Sequence, residues 1–234
     1  MQVWCVRTIP VFIVLYLVGF VGLSGFVPPL SPTLTGAELA QLFEHHRNAI
    51  RGGQLLCLVA ASLYLPWCAV MSVQMARVEG EFPVLAWLNF GGALLLVAFF
   101  FLCSMLWEVA AYRPDVDPQM LRMLNDFSWL TFVMVYPEYV VQLVAIAVVG
   151  FMDKRPRPLL PRWACFVTLW VALAGVGGGF ATFFTTGAFA WNGLIGFWVP
   201  VAFFLLWLVF VIFPCLLRAA RNDDASASHW PLAG

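Results

Sequence analysis

The sequence predicts an all-α membrane protein with six transmembrane helices and one short amphipathic interfacial helix between spans 1 and 2. Three observations carry that prediction. Of the 234 residues, 63% are hydrophobic and only 10% are charged, whereas soluble domains carry charge on about a quarter of theirs. The apolar residues gather into six runs, each long enough for the roughly 20 residues of helix that cross a bilayer core. Between the runs lie only short connectors and a polar tail, which leaves no room for a soluble domain.

The spans are expected at about residues 10–30, 55–76, 84–111, 121–151, 163–187 and 193–217, forming one domain over 1–221. The tail, 222–234 (NDDASASHWPLAG), reads as disordered and cytoplasmic. Near the N-terminus, Arg7 followed by Val11 to Val21 resembles a secretory signal. Its apolar stretch continues through Phe26 to Leu30 and reaches spanning length, so an uncleaved first helix is expected. Basic residues are retained on the cytoplasmic side. With both termini inside, that face collects Arg7, Arg77, Lys154, Arg155, Arg157, Arg162, Arg218 and Arg221, against Arg47, Arg51, Arg113 and Arg122 outside. The densest basic segment, MDKRPRPLLPRW, is rich in proline and reads as a stiff connector that sets topology, with an anionic-lipid site as the alternative.

Aromatic residues are expected at the two interfaces: Trp107, Tyr112, Trp129 and Trp191 outside, and Trp4, Trp87 and Trp163 inside. In span five, Gly175 and Gly179 stand four apart and suit close helix packing. Pro66 and Pro137 in mid-span, with Pro200 early in span six, free backbone carbonyls and kink their helices. Six cysteines, Cys5, Cys57, Cys68, Cys103, Cys165 and Cys215, stand singly with no C-x-x-C, so they read as packing residues rather than disulfide or zinc partners.

One polar island, ELAQLFEHHRNAIRGGQ over residues 38–54, interrupts the apolar pattern. Thr35 and Glu38 have the spacing of a capping box, which starts a helix at Gly36, and Gly52-Gly53 offers it a stop. At 100° per residue Leu39, Phe43, His46 and Ile50 fall on one stripe, with Gln41, Glu44, His45 and Asn48 opposite. Adjacent histidines diverge too far on a helix to share a metal ion, so Glu44-His45-His46 is not a zinc motif, and no metal site or cofactor is called for. Glu44, Arg47 and Arg51 share a flank and suit pairing one turn apart. His46, on the apolar side, is read as a structural histidine or as a ligand, proton carrier or substrate contact.

Ionisable groups inside spans are costly, and a functional role is the default hypothesis for them. Glu108 ends span three near the outer boundary. Span four starts at Asp117-Pro118 and runs inward through Asn125, Asp126, Trp129, Tyr136 and Pro137 to Glu138, which sits near the midplane and is the first candidate. Gln142 lies one turn beyond it on the same face. Glu138 reads either as functional or as hydrogen-bonded to a carbonyl freed by Pro137. Asp126 reads as a cap or as an ion-pair partner of Arg122. Strongly polar side chains (His46, Arg47, Arg51, Glu108, Asn125, Asp126, Asn192, and Glu138 deeper) are biased to the outer half. One outward cavity, roofed by the amphipathic helix and walled by spans three, four and six, would account for that bias.

The chain lacks H-E-x-x-H, a G-x-S-x-G elbow, clustered histidines and a P-loop, and no basic patch points to nucleic acid. Three functional readings remain open. The first, resting on an aromatic-rich interior (Trp129, Phe132, Tyr136, Trp191, Phe197, Trp198) and kinked spans, is a membrane protein that binds or passes a lipophilic small molecule, as an accessory subunit of a larger system, with membrane lipids and a membrane partner subunit around it. The second is a cofactor-free enzyme of isomerase type acting on a lipid-like substrate, with Glu138 or Glu108 as base and His46 as acid. The third is a structural or assembly factor. The run FVPPLSPTLTGAELAQLFEHHRNAIRGG, with LNDFSWLTF, DKRPRPLLPRW and GAFAWNGLIGFWVP, resembles a group of small bacterial six-helix membrane proteins of unassigned function. That resemblance implies a bacterial inner membrane and supplies no catalytic residue.

Overall fold

A computed structural model of the chain describes residues 1–228, with side chains described as far as Asp223. The described residues are helical with no strand. They form six helices long and apolar enough to cross a membrane: α1 (Gln2–Leu23), α2 (Gly36–Glu79), α3 (Val84–Tyr112), α4 (Pro118–Met152), α5 (Arg162–Phe183) and α6 (Leu194–Asp223). The chain is an integral membrane protein. Helix α6 continues to Ser228, so residues 222–228 extend the last helix rather than start a tail. The remainder of the expected tail, with His229, lies outside the described residues.

The short interfacial helix does not form as a separate element. Its predicted start is present: Thr35 Oγ1 accepts from the Glu38 amide at 3.3 Å and Glu38 Oε2 accepts from the Thr35 amide at 2.8 Å, which closes the capping box. Its predicted stop is absent, because the helix runs unbroken from Gly36 to Ser62. Glycine inside a helix costs only about 1 kcal/mol against alanine, and Gly53 is needed where it stands. A Cβ there would overlap Ser24 Oγ and the Gly19 carbonyl of α1, and one on Gly19 would lie 2.6 Å from the Gly53 carbonyl. The two glycines bring α1 and α2 backbone to backbone. With 44 residues, α2 is about 66 Å long at 1.5 Å per residue, well beyond a hydrocarbon layer of about 30 Å.

The first span also shifts, from the expected 10–30 to Gln2–Leu23. Gly25, at φ 66°, turns the chain out of the helix, and Pro28 and Pro29 cannot restore it. Phe26 therefore belongs to a connecting loop, although it is fully buried.

Both mid-span prolines break their helices. Helix α2 is interrupted at Leu63, three residues before Pro66, and α4 at Val135, two before Pro137. Each ring occupies the place of a hydrogen bond to the carbonyl four residues back. Helix α5 is shaped to the second break. A Cβ on Gly178 would overlap the freed Val133 carbonyl, and ones on Gly175 and Gly179 would run into the rings of Tyr139 and Tyr136. The glycine-rich stretch is a packing surface, as its spacing suggests, and it is wound as a 3₁₀ helix over Val176–Phe183.

The interface aromatics divide. Trp4, Trp87, Trp163 and Tyr112 are exposed, whereas Trp107, Trp129 and Trp191 are buried. Trp107 and Trp129 meet edge to face at 5.1 Å, and Phe20, Phe26, Phe132 and Phe197 surround them. These side chains fill the core on the side opposite the termini, because helical phase turns them inward. At the end that holds both termini, Gln74 donates to Gln2 at 2.9 Å and to Asp223, and Arg77 pairs with Asp223, tying α1, α2 and α6 together. The loop from α4 to α5 is fixed by Asp153, which accepts from the Arg155 amide, Nε and Nη2 and from the Leu159 amide at 2.7–3.0 Å.

Partial burial works against the Asp153 charge, but the hydrogen bonds from Arg155 and the Leu159 amide outweigh it and hold the carboxyl below its ordinary value. A depressed pKa stabilises the fold above the unfolded value, about 3.9, and that contribution drains as pH falls towards the folded value. The melting temperature of wild type should exceed that of Asp153→Asn most at neutral pH, with the gap closing between about pH 5 and 3. Gly178→Ala should destabilise the protein by about 1–3 kcal/mol through overpacking. Gly91→Ala, with nothing within 4 Å of the added carbon, should instead gain up to about 1 kcal/mol from helix propensity alone and serves as the control in the same thermal melts.

Candidate functional site

The residues expected to share one outward cavity occupy separate places. Glu138 follows the Pro137 break on α4, half-buried, and its carboxylate has no hydrogen bond or ion pair among the described residues. Glu108, on α3, faces the charge of Arg51 on α2. His46 is exposed, its ring edge-on to His45 at 4.8 Å. The stripe that α2 does bury is Leu39, Phe43 and Ile50, without His46. The reason is one of length: α1 ends level with Gly53, and His46 stands about 10 Å farther along α2, at 1.5 Å per residue. Arg47, Glu44 and Arg113 border a recess of about 40 Å³ at the end opposite the termini. Asp126 lies 4.0 Å from Arg122, the ion pair expected of it, and Asn192 is half-buried.

Gln142 does not pair with Glu138. It is fully buried and belongs to a network joining α2, α3 and α4. Tyr64 Oη donates to Gln142 Oε1 at 3.3 Å, and Gln142 Nε2 donates to Asn89 Oδ1 at 3.3 Å and to Cys68 Sγ at 3.4 Å. Asn89 Nδ2 donates to Ser72 Oγ at 2.8 Å, and Ser72 Oγ donates to the Ala86 carbonyl at 2.9 Å. This cluster corrects the expected bias of polar side chains to the outer half, since it extends from Tyr64 towards the terminal end at Ser72. A signal for it exists in the sequence: Tyr64, Cys68 and Ser72 recur every fourth residue and so share one face of α2.

A second polar group sits among the buried tryptophans. Trp107 Nε1 donates to Asn125 Oδ1 at 3.3 Å, while Asn125 Nδ2 and Trp129 Nε1, one turn apart on α4, are buried without a partner. Ser104 Oγ, Tyr16 Oη and Gln54 Oε1 are likewise buried and unpartnered. Among the described residues no group of three His, Cys, Asp or Glu could hold a metal ion.

The concave features that could hold a molecule are apolar. One cavity, of about 270 Å³, lies between α1 and α6 over a floor of Phe100 and Phe132, with Phe12, Tyr16, Phe20 and Val21 on one wall and Phe197, Trp198, Val201 and Leu205 on the other. A smaller one, of about 90 Å³, adjoins it and shares Phe100, Phe132, Val201 and Phe204, extending to Tyr136, Tyr139, Gly175 and Pro200 at the α4 break. Helices α1 and α6 touch where Gln2–Val6 meets the last turns of α6 and, more lightly, where Thr8–Leu17 meets Leu208–Ile212. Farther along, the cavity separates them, and Leu17, Val21 and Trp198 at its rim are exposed on the flank of the bundle. The mouth therefore opens on the apolar flank of the bundle. Of the sequence-predicted site residues, Tyr136 lines the smaller cavity, and Glu138, Glu108 and His46 line neither. Phe100 and Phe204 are not distinguishable in sequence from ordinary core phenylalanines.

No family model, curated protein or solved structure matches the chain.

Gln142→Leu should cost about 1–3 kcal/mol by leaving Tyr64 and Asn89 with unmet hydrogen bonds in the core, whereas Glu138→Gln, which breaks no pairing, should stay within about 0.5 kcal/mol. Thermal melts in one detergent decide between them. An equal loss in both would return Glu138 to the network.

Proposed function

We propose that the protein binds a lipophilic molecule whose hydrocarbon part enters from the acyl layer between α1 and α6. The observation that carries this reading is the aromatic-walled cavity of about 270 Å³ with its mouth on the lipid-facing flank. At about 30 Å³ per water-sized group, it has room for about nine such groups, a chain segment or a small ring system rather than a whole phospholipid. A tail already in lipid gains nothing by transfer to an equally apolar cavity, so selectivity rests on shape and packing. The stacked rings of Phe20, Phe132 and Phe197 favour flat or stiff hydrocarbon over a flexible chain.

The candidate acids and bases lie away from the cavity, so binding, and not acid-base turnover at Glu138, is the role assigned to it. The same reading puts the chain in a bacterial inner membrane with both termini cytoplasmic, supported by the excess of arginine and lysine in the loops on the terminal side. It works there as an accessory subunit beside a membrane partner.

Native mass spectrometry of protein released gently from membranes tests the proposal. Wild type and Glu138→Gln should carry the same discrete organic mass, and Val201→Trp, which fills the wall shared by both cavities, should lack it while keeping its helical circular dichroism. Ala202→Phe, at the mouth, should lower its occupancy without touching the floor. A wild-type chain that is bare, or that carries only bulk phospholipid, overturns the reading.

A further inference from the structure

The α4–α5 loop holds four basic residues, counting Arg162 at the start of α5, and the structure treats them unequally. Arg155 is taken up by Asp153, to which it donates through both Nε and Nη2 at 2.8 and 2.7 Å. From the last helix, Arg218 donates to the Pro158 and Leu159 carbonyls at 2.7 and 3.2 Å and pins the loop to the bundle, where Leu159 and Leu160 are buried. Pro156, Pro158 and Pro161 limit its backbone further. Lys154, Arg157 and Arg162 are left exposed, with no ion pair among the described residues. Cys165 lies within electrostatic reach of both Arg162 and Asp153, so the loop rests beside the first turn of α5.

Below those cations runs an aromatic ridge. Trp163, Phe166 and Trp170 are 57%, 57% and 65% exposed, and at 100° per residue they fall with Arg162 within an arc of about 100° on α5. A face that is cationic at its end and aromatic along its length matches an amphiphile with an anionic head and hydrocarbon tails. We infer that this face docks an anionic phospholipid, its phosphate against Lys154, Arg157 and Arg162 and its chains along Phe166 and Trp170. The surface is separate from the α1–α6 cavity and does not depend on what fills it. Two features distinguish it from a mere excess of positive charge. Arg155 is paired with Asp153 and Arg218 is engaged by backbone carbonyls while these three are not, and they lie on a braced loop that leads, through Arg162, into the exposed aromatic face of α5.

Tryptophan quenching by brominated lipid reads the contact directly, because Trp163 and Trp170 lie in it. The full chain is reconstituted in phosphatidylcholine vesicles in which about one lipid in ten is brominated in its chains, as either phosphatidylglycerol or phosphatidylcholine. Brominated phosphatidylglycerol should quench about twofold more than brominated phosphatidylcholine at the same fraction. The excess should vanish in the triple variant Lys154→Gln, Arg157→Gln, Arg162→Gln, and in Trp163→Phe, Trp170→Phe, which removes the reporters and leaves the charges. Should the triple variant fail to fold, Arg157→Gln and Arg162→Gln singly should each lower the excess. Equal quenching by the two lipids in wild type overturns the proposal, as does an excess that survives either set of substitutions.

Discussion

A backbone carbonyl freed inside a bilayer has no water to turn to, and the carbonyl that Pro137 releases at Val133 governs how three of the six helices meet. Any side chain on the facing residue would hold the neighbouring backbone away from it. Glycine at 178 lets α5 close on that carbonyl, while Gly175 and Gly179 make room for Tyr139 and Tyr136 on either side of the break. The same short stretch of α5 meets Ile195 through Gly177, so the start of α6 is placed by it as well. The smaller cavity lies at this junction, bordered by Val135, Tyr136, Tyr139 and Gly175. An irregularity in one helix thus produces the glycine-rich surface of the next and the hollow between them.

The hydrogen-bonded network and the α1–α6 cavity are built from different side chains in this bundle. The Tyr64–Gln142–Asn89–Ser72 network has its members largely paired across α2, α3 and α4, and a connected network of that kind fixes the relative rotation of helices that apolar packing alone leaves loosely specified. The α1–α6 cavity is walled mainly by aromatic rings and lies farther along the face of α3 that carries Asn89, where α1 and α6 draw apart beyond the terminal end. The tie among Gln2, Gln74, Arg77 and Asp223 holds that end. Beyond it no side-chain hydrogen bond joins α1 to α6 among the described residues, and the mouth opens between them.

The hypothesis of a single polar cavity failed for a geometric reason. Residues such as Glu108, Asp126, Asn192 and His46 share a depth in the membrane, which sequence position reports well. They do not share an azimuth around the bundle, which depends on where neighbouring helices stand. His46 shows the difference most clearly: its helical phase is close to that of Phe43 and Ile50, which are buried, but α1 ends before its level and leaves its side of α2 open. Gln142 shows the converse. Paired by spacing with Glu138, it turns to a tyrosine 78 residues away, because its side of α4 packs against α2 and α3.

What the sequence determined by itself is the class of solvent and the local punctuation. Apolar runs of spanning length, the Thr35–Glu38 capping box, the Asp117-Pro118 helix start, the breaks near Pro66 and Pro137, and the packing role of Gly175 to Gly179 are set by contacts within a few residues, so spacing suffices to read them. The sequence also suggested a stop at Gly52-Gly53 that the protein does not use, since a glycine that ends one helix and a glycine that admits another helix look alike until the partner is known. Only the tertiary structure decided which tryptophans fill the core, which polar residues meet, and where the bundle is left hollow. Those outcomes depend on the order and rotation of helices around one another, set by close packing between residues far apart in the chain.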